Sequence, residues 1–344
     1  MAIHVGILGA TGAVGQRLIQ LLSPHPEFEI AALTASEDSA GRPYHEAAKW
    51  RADSPIPPTV TDMEVRQTTP AAVPDDIALL FSSLPSSIGR EVEPNFAEEG
   101  YLVSSNSSNA RMAADVPLII PELNADHLDL LEVQRDERGW DGGLVKNPNC
   151  STITVAPTLA ALHPLGLDRI HVSTLQAVSG AGYSGVTSME ILDNVLPYIG
   201  GEEEKVETEP RKLLGEFTGA AVAEAELTIS ASCNRVPTLD GHLENVWVDL
   251  DEGISTSEVA TALRDYPSLD LPSSPDPLIH VFEEPDRPQP RLDRDRGNGM
   301  QVTVGGIQET PFGIQYNALA HNTIRGAAGA SVLNGELLLA EGWL

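Results

Sequence analysis

The chain is poor in cysteine, in lysine and in long apolar runs. With only Cys150 and Cys233 there is no disulfide framework, and a reducing cytoplasm is the expected setting. No apolar run approaches the roughly 20 residues that span a bilayer. The start, Met1-Ala2-Ile3-His4-Val5, lacks the basic-then-apolar pattern of a secretory leader. The lysines are four, Lys49, Lys146, Lys205 and Lys212, against 50 acidic and 21 basic residues and a formal charge of −29. Such a surface repels nucleic acid and anionic membranes, so neither is expected as a partner. The acids are spread along the chain, so an acidic tail is not the explanation. A halophilic enzyme is the expectation, because short-range screening in concentrated salt makes such self-repulsion tolerable.

What is present suits two domains, given 344 residues. Residues 3–8 read as a buried strand running into Gly9-Ala10-Thr11-Gly12-Ala13-Val14-Gly15. A helix follows, with Val14, Leu18, Leu21 and Leu22 on one face. Strand, glycine turn and helix in that order form the start of a dinucleotide site, where the backbone approaches a pyrophosphate held on the helix N-terminus. Phe28–Ala35 and Ile77–Leu84 read as further strands, Ser87–Glu98 as a helix, then Tyr101–Ser105 and Leu118–Ile120 as extended segments. Residues 36–75 show no strong period. Alternating strands and helices predict a parallel, doubly wound sheet with ligands beyond the strand C-terminal ends. Ser82–Ser83, Ser105–Asn106 and Cys150 all fall at such ends.

The stretch Asn147-Pro148-Asn149-Cys150-Ser151-Thr152 follows a β-favouring run, Gly142 to Lys146, and precedes a helical pattern over Thr152–Leu162. A cysteine at that junction faces unpaired backbone N–H groups and the positive end of a helix dipole. Both favour thiolate, and the same N–H groups can hold an oxyanion. Alone, Cys150 fits an inert buried thiol equally well. Pro157, inside the pattern, predicts a kink or an early stop.

Past Cys150 the pattern changes to longer alternating strands: Arg169–Val178, Leu227–Ser232, Leu243–Leu250, Ile279–Phe282, Gln301–Val304 and Ile314–Leu319. Helices are expected near Val186–Leu196, Lys212–Glu216, Thr256–Asp265 and Thr323–Leu339. The expected fold is therefore α/β, a Rossmann-type dinucleotide-binding domain followed by an α+β domain with a mainly antiparallel sheet. The boundaries are 1–149 with the C-terminal helix 323–344 returning to the first domain, and 150–322 for catalysis, substrate and dimerisation.

The motifs resemble those of the aspartate-β-semialdehyde dehydrogenases, in the branch of archaea and fungi. They are the Gly9–Gly15 turn, Ser105-Asn-Ser-Ser-Asn-Ala-Arg111-Met, Asn147-Pro-Asn-Cys150-Ser-Thr, Ser179-Gly-Ala-Gly182-Tyr, Cys233-Asn-Arg235 through His242, Arg287 through Asp295, and His321-Asn-Thr-Ile-Arg-Gly-Ala-Ala. They span nearly the whole chain. The resemblance implies NADPH-dependent reduction of β-aspartyl phosphate to aspartate semialdehyde, feeding lysine, methionine, threonine and isoleucine synthesis, by a homodimer or homotetramer. It makes Cys150 the nucleophile, His242 its acid/base partner, Gln176 the residue orienting the acyl group and Asn149 the neighbour of the nucleophile. Arg235 matches the arginine that grips the α-carboxylate, Glu209 and Lys212 the contacts to ammonium and phosphate at a helix start, and Arg111 a second phosphate contact. It implies cofactor contacts from Gly9, Thr11, Gly12, Ala13, Val14, Ser36, Ser39, Ser82, Ser179, Gly180, Gly182 and Asn322, and no metal. Cys233 reads as core.

One departure bears on the cofactor. Before Ser-Ala-Gly the family usually has a basic residue for the 2′-phosphate, whereas this chain reads Ser36-Glu37-Asp38-Ser39-Ala40-Gly41. An acid there suits a free ribose 2′-OH. Ser36 and Ser39 keep the hydroxyl donors and Arg42 stands nearby, so NADP is expected to be preferred, with weakened discrimination against NAD. Three other readings are open. An acyl-CoA reductase such as a malonyl-CoA reductase keeps Cys150 and His242, but the set Arg235, Glu209 and Lys212 suits an amino acid better. An N-acetylglutamyl-phosphate reductase typically has Gly-Cys-Tyr-Pro, absent here. A non-catalytic dinucleotide sensor has no need of the Cys150 and His242 pair.

Overall fold

The computed structural model describes residues 2–183 and 185–344. The first sheet has six strands: β1 (Ile3–Leu8), β2 (Phe28–Ala35), β3 (Val65–Gln67), β4 (Leu79–Ser82), β5 (Leu102–Ser105) and β6 (Gly143–Lys146). They are all parallel, in the order β3-β2-β1-β4-β5-β6. β1 reads as a continuous apolar run because helices cover both faces. Val5, Ile7 and Leu8 are fully buried, each contributing about 1.5–3 kcal/mol. The helices of this half are α1 (Ala13–Leu22), the short α2 (Tyr44–Ala47) and α3 (Pro58–Thr61), α4 (Ser86–Glu98), α5 (Pro121–Asn124) and α6 (Leu130–Arg138).

α7 (Cys150–Leu162) leads out of the first sheet. The second half contains β7 (Arg169–Gln176), α8 (Ser188–Ile191), α9 (Glu202–Leu213), β8 (Glu216–Phe217), β9 (Val222–Ala223), β10 (Thr228–Arg235) and β11 (His242–Val248). It continues with α10 (Thr256–Arg264), β12 (Ile279–Val281), α11 (Pro290–Asp293), β13 (Val302–Thr310) and β14 (Gly313–Ala320), and α12 (Gly329–Ala340) closes the chain. The second sheet runs β10-β7-β11-β14-β13-β12. Its three inner pairings are antiparallel, while both edge pairings, β10–β7 and β13–β12, are parallel. The sheet is thus mixed. Val155 and Leu159 of α7 pack on it with Val172 and Val246, whereas Val332, Leu337 and Leu338 of α12 pack with Val5 and Ile7 of the first sheet.

Several expectations need correction. Residues 36–75 contain an edge strand, β3, too short and polar to show a period. Leu118–Ile120 is no ladder strand; Leu118 makes a single bridge to Lys146. α7 runs thirteen residues from Cys150, straight through Pro157. The helix expected over Val186–Leu196 is only the one turn of α8, and Met189, Leu192 and Val195 face solvent, so the apolar period has nothing to pack against. The helix expected over Lys212–Glu216 is the end of α9. Glu202, Glu203 and Glu204 fill its first turn and Arg211 and Lys212 its last, the charge layout a helix dipole favours. Thr323–Leu339 opens with a π-helical turn, Ile324–Ala328, before α12.

Candidate active site

Sheet register gathers the C-terminal candidates. Arg235 pairs with Gln176 across β10 and β7. The Leu243–Leu175 pair of β11 and β7 sets His242 beside Gln176, one step along. Arg235, Gln176 and His242 therefore form one transverse row at the end of the sheet, on one face, all buried. Cys150, the first residue of α7, sits against that row with Sγ 3.2 Å from His242 Nε2. Gly326 of the π-helical turn packs on the other side of the cysteine, where a Cβ would come within 2.7 Å of Cys150 Cβ.

The proton inventory of the pair follows from its contacts. The Ala177 N–H donates to His242 Nδ1 at 3.1 Å. A neutral imidazole held that way carries its proton on Nε2, facing the sulfur. Burial, with Arg235 and His321 assisting, pushes His242 down to about 3. Burial, with Glu202 assisting and Arg235 and Arg111 opposing, pushes the Cys150 thiol up to about 12. These shifts favour thiol and neutral imidazole in the free enzyme, against the thiolate that the helix start alone favours. The expected open N–H groups are also fewer. Asn149 caps α7, its Oδ1 accepting from Ser151 N at 2.9 Å and Thr152 N at 3.3 Å.

Two acidic residues brace this corner. Glu209 accepts from Arg111 Nη1 at 2.9 Å and from Asn149 N at 2.6 Å. Lys212 Nζ donates to the carbonyls of Arg111, Ala113 and Val116 at 2.9, 2.7 and 2.7 Å, and burial pushes it down to about 8. Both residues lie in the closing turns of α9, not at a helix start. The sequence reading passed over Glu202, which accepts from Asn149 Nδ2 at 2.8 Å and Gln176 Nε2 at 3.4 Å. Burial works against its charge, but Lys205, Asn149 and Gln176 outweigh burial and hold it below the usual carboxylate range. Its signal was hidden in a run of four acids within Glu202–Glu207. Arg235 Nη1 donates to Ala177 O at 2.8 Å.

The glycine turn fits a dinucleotide. A Cβ on Gly15 would lie 2.4 Å from Gly9 O, so helix and strand meet there only without a side chain. Gly12 leaves the α1 N-terminus without a side-chain cap, and its free N–H groups suit a pyrophosphate. Across a 140 Å³ cleft, Ala13, Gln16 and Arg17 face Ser179, Gly182 and Tyr183. Asn322 Nδ2 donates to Ser179 Oγ at 2.8 Å, and its Oδ1 accepts from Gly241 N at 2.8 Å. Thr11 and Val14 border the turn, and Ser36 and Ser39 belong to the turn after β2, where Ser39 N donates to Ser36 O at 2.9 Å. Arg42 is turned onto the Glu46 carbonyl. Ser82 is sealed: its Oγ donates to Glu93 Oε1 at 2.7 Å, in a buried set with Lys146, Ser105 and Ser107. Its neighbour Ser83 holds the glycine turn instead, through Leu8 O and Gly9 O. Among the described residues no cluster of His, Cys, Asp and Glu suits a metal, and no helix is long and apolar enough to cross a membrane.

A parallel sheet with an open glycine turn, joined through one helix to a thiol–imidazole pair, defines the class: a dinucleotide-dependent dehydrogenase. The model for the NAD binding domain of semialdehyde dehydrogenases matches residues 4–131, and that for their dimerisation domain matches residues 159–325. An aspartate-semialdehyde dehydrogenase of Archaeoglobus fulgidus is 53% identical, covering 99% of both chains. That of Methanothermobacter thermautotrophicus is 53% identical over 98% of this chain and 99% of its own. The structure of the Candida albicans enzyme with NADP superposes with a TM-score of 0.91 at 41% identity, covering 100% of both chains. The chain belongs to the aspartate-semialdehyde dehydrogenases.

Proposed function

We propose that the protein reduces β-aspartyl phosphate to aspartate semialdehyde and phosphate with NADPH, through a thioester on Cys150. The observation that carries the reading is the Cys150 Sγ–His242 Nε2 contact of 3.2 Å at the end of the Arg235–Gln176–His242 row. Cys150 Sγ attacks the acyl carbon, the carbon–oxygen bond to phosphate breaks, and the thiol proton balances on the departing phosphate. His242, with its proton on Nε2, steadies charge first on sulfur and then on the substrate oxygen, an aid typically worth about 10²–10⁴-fold. A bound NADPH supplies the hydride. The thiohemiacetal then collapses, the carbon–sulfur bond breaks, and the sulfur recovers a proton.

Arg235 grips the α-carboxylate in its planar fork, and Gln176 and Asn149 orient the acyl group. Arg111 takes the phosphate, with Lys212 exchanging one of its three carbonyls to join it. Glu209 takes the ammonium. The glycine turn, Ser36, Ser39, Ser179, Gly180, Gly182 and Asn322 hold the cofactor, whereas the burial of Ser82 supports an indirect part, through the strand end it braces. Residues 1–149 with 323–344 act as the cofactor domain and 150–322 as the catalytic and dimerisation domain. A homodimer or homotetramer in a salt-rich cytoplasm completes the reading. The exposed Met189, Leu192, Val195, Tyr198 and Phe312 support an association surface.

Phosphate-dependent oxidation of aspartate semialdehyde, assayed in high salt with NADP and with NAD, tests the function. Reduction of nucleotide that requires both phosphate and the aldehyde is expected. No such activity, alongside turnover of malonyl-CoA, transfers the site to acyl-CoA chemistry.

A further inference from the structure

One carboxyl group at this site has no evident partner. Glu244 stands two residues after His242 on β11, on the same face of the sheet, in the next row inward beside Thr174 and Cys233. It is fully buried, and neither carboxyl oxygen has a hydrogen-bond partner among the described residues. The hydroxyl of Ser151, the residue after the nucleophile, is likewise fully buried and unpartnered. Unpartnered buried polar groups are rare in native proteins, and two of them adjoin the start of α7. Ser151 acts on Glu244 from that helix, and Glu202 acts on it from α9. Glu244 in turn acts on Cys150, on Cys233 of β10 and on Tyr316 of β14. His242 flanks it on its own strand. No lysine or arginine is among the groups acting on Glu244.

We propose that Glu244 is a positioning residue for the nucleophile: a neutral carboxylic acid that hydrogen-bonds Ser151 Oγ, directly or through one enclosed water, and so fixes the first turn of α7 beneath the Cys150 sulfur. A bare carboxylate in that place has no cation beside it, and the Ser151 hydroxyl alone does not offset its desolvation and the repulsion of Glu202. Burial accordingly pushes Glu244 well above the usual carboxylate range. Neutrality also matters to the sulfur, because a second negative charge beside Glu202 would oppose thiolate formation. The site thereby holds two carboxyl groups in opposite states, Glu202 ionised toward Asn149 and Gln176 and Glu244 protonated beneath α7. The inference rests on the reading of Cys150 as nucleophile.

The test compares Glu244→Gln, which keeps a neutral polar group, with Glu244→Leu, which keeps volume alone. Infrared spectra of the wild-type enzyme should contain the carbonyl stretch of a protonated carboxylic acid that Glu244→Gln removes. Glu244→Gln should leave the pH dependence of Cys150 alkylation unchanged. Glu244→Leu should lower kcat about tenfold with little change in KM, the size of one lost hydrogen bond. A missing infrared band, a downward shift of the alkylation profile by about one pH unit or more in Glu244→Gln, or full kcat in Glu244→Leu overturns the proposal. If the leucine variant does not fold, the infrared and alkylation measurements decide alone. Both are read without turnover, so they remain decisive if the substrate assignment fails. Alkylation inactivating through Cys233 would instead sink the nucleophile assignment itself.

Discussion

Cys150 shows how two local forces compete at one residue. A helix start and two arginines favour the thiolate, yet burial, with Glu202 assisting, pushes the thiol up to about 12. Iodoacetamide should therefore modify Cys150 slowly at neutral pH and faster as pH rises, since only the thiolate reacts. A fast, pH-independent reaction would contradict the protonated resting state. Cys150→Ser should keep the fold and lose nearly all turnover, and mass mapping of the alkylated enzyme should find inactivation tracking Cys150 rather than the buried Cys233. Arg235→Lys keeps the charge but not the fork, so kcat/KM for aspartate semialdehyde should fall severely. Kinetics equal to wild type would remove Arg235 from the substrate.

At the scale of elements, α9 and the turn after β2 carry the sharpest expectations. Lys212 ties three carbonyls of residues 111–116 to the end of α9. Lys212→Ala leaves the Arg111 and Val116 carbonyls without a donor, whereas Ala113 O keeps the Val116 N–H. It should cost about 1–3 kcal/mol in denaturant unfolding and raise KM for phosphate. Unchanged stability and KM would mean the staple is idle. The turn after β2 exposes Glu37 and Asp38 beside Ser36 and Ser39. Asp38→Arg should raise the preference for NADP over NAD, most clearly at low salt, where screening of the 2′-phosphate is weak. An unmoved NADP/NAD ratio, or a strong wild-type preference for NAD, would reverse the part given to these acids.

The whole molecule carries −29 formal charges. At about 0.01 M salt the Debye length grows to roughly 30 Å, so most of these charges repel one another across the molecule. Dilution from molar salt should lower both the melting temperature and activity. A melting temperature flat from low to molar salt would leave the acidity without a halophilic explanation.

The sequence by itself determined what depends on neighbours in the chain. The β1–glycine turn–α1 unit, the cysteine at the head of α7 and the alternating strands of the second half were legible because strand period, glycine spacing and helix period are local properties. β3 was not legible, because a three-residue polar edge strand acquires its identity only from pairing with β2. The extent of α9 was obscured by an acidic run that reads as solvated until Glu202 and Glu209 find Asn149 and Arg111. Nor was the burial of the Ser82 hydroxyl legible, since its partner Glu93 lies on a neighbouring helix. The tertiary structure alone decided which groups are desolvated together. Register aligned Arg235, Gln176 and His242 in one row, burial set the protonation of Cys150 and His242, and the packing of α7 on β11 enclosed Glu244. Each of these is a property of distances between segments far apart in the chain, and such distances exist only once the two sheets have closed around α7.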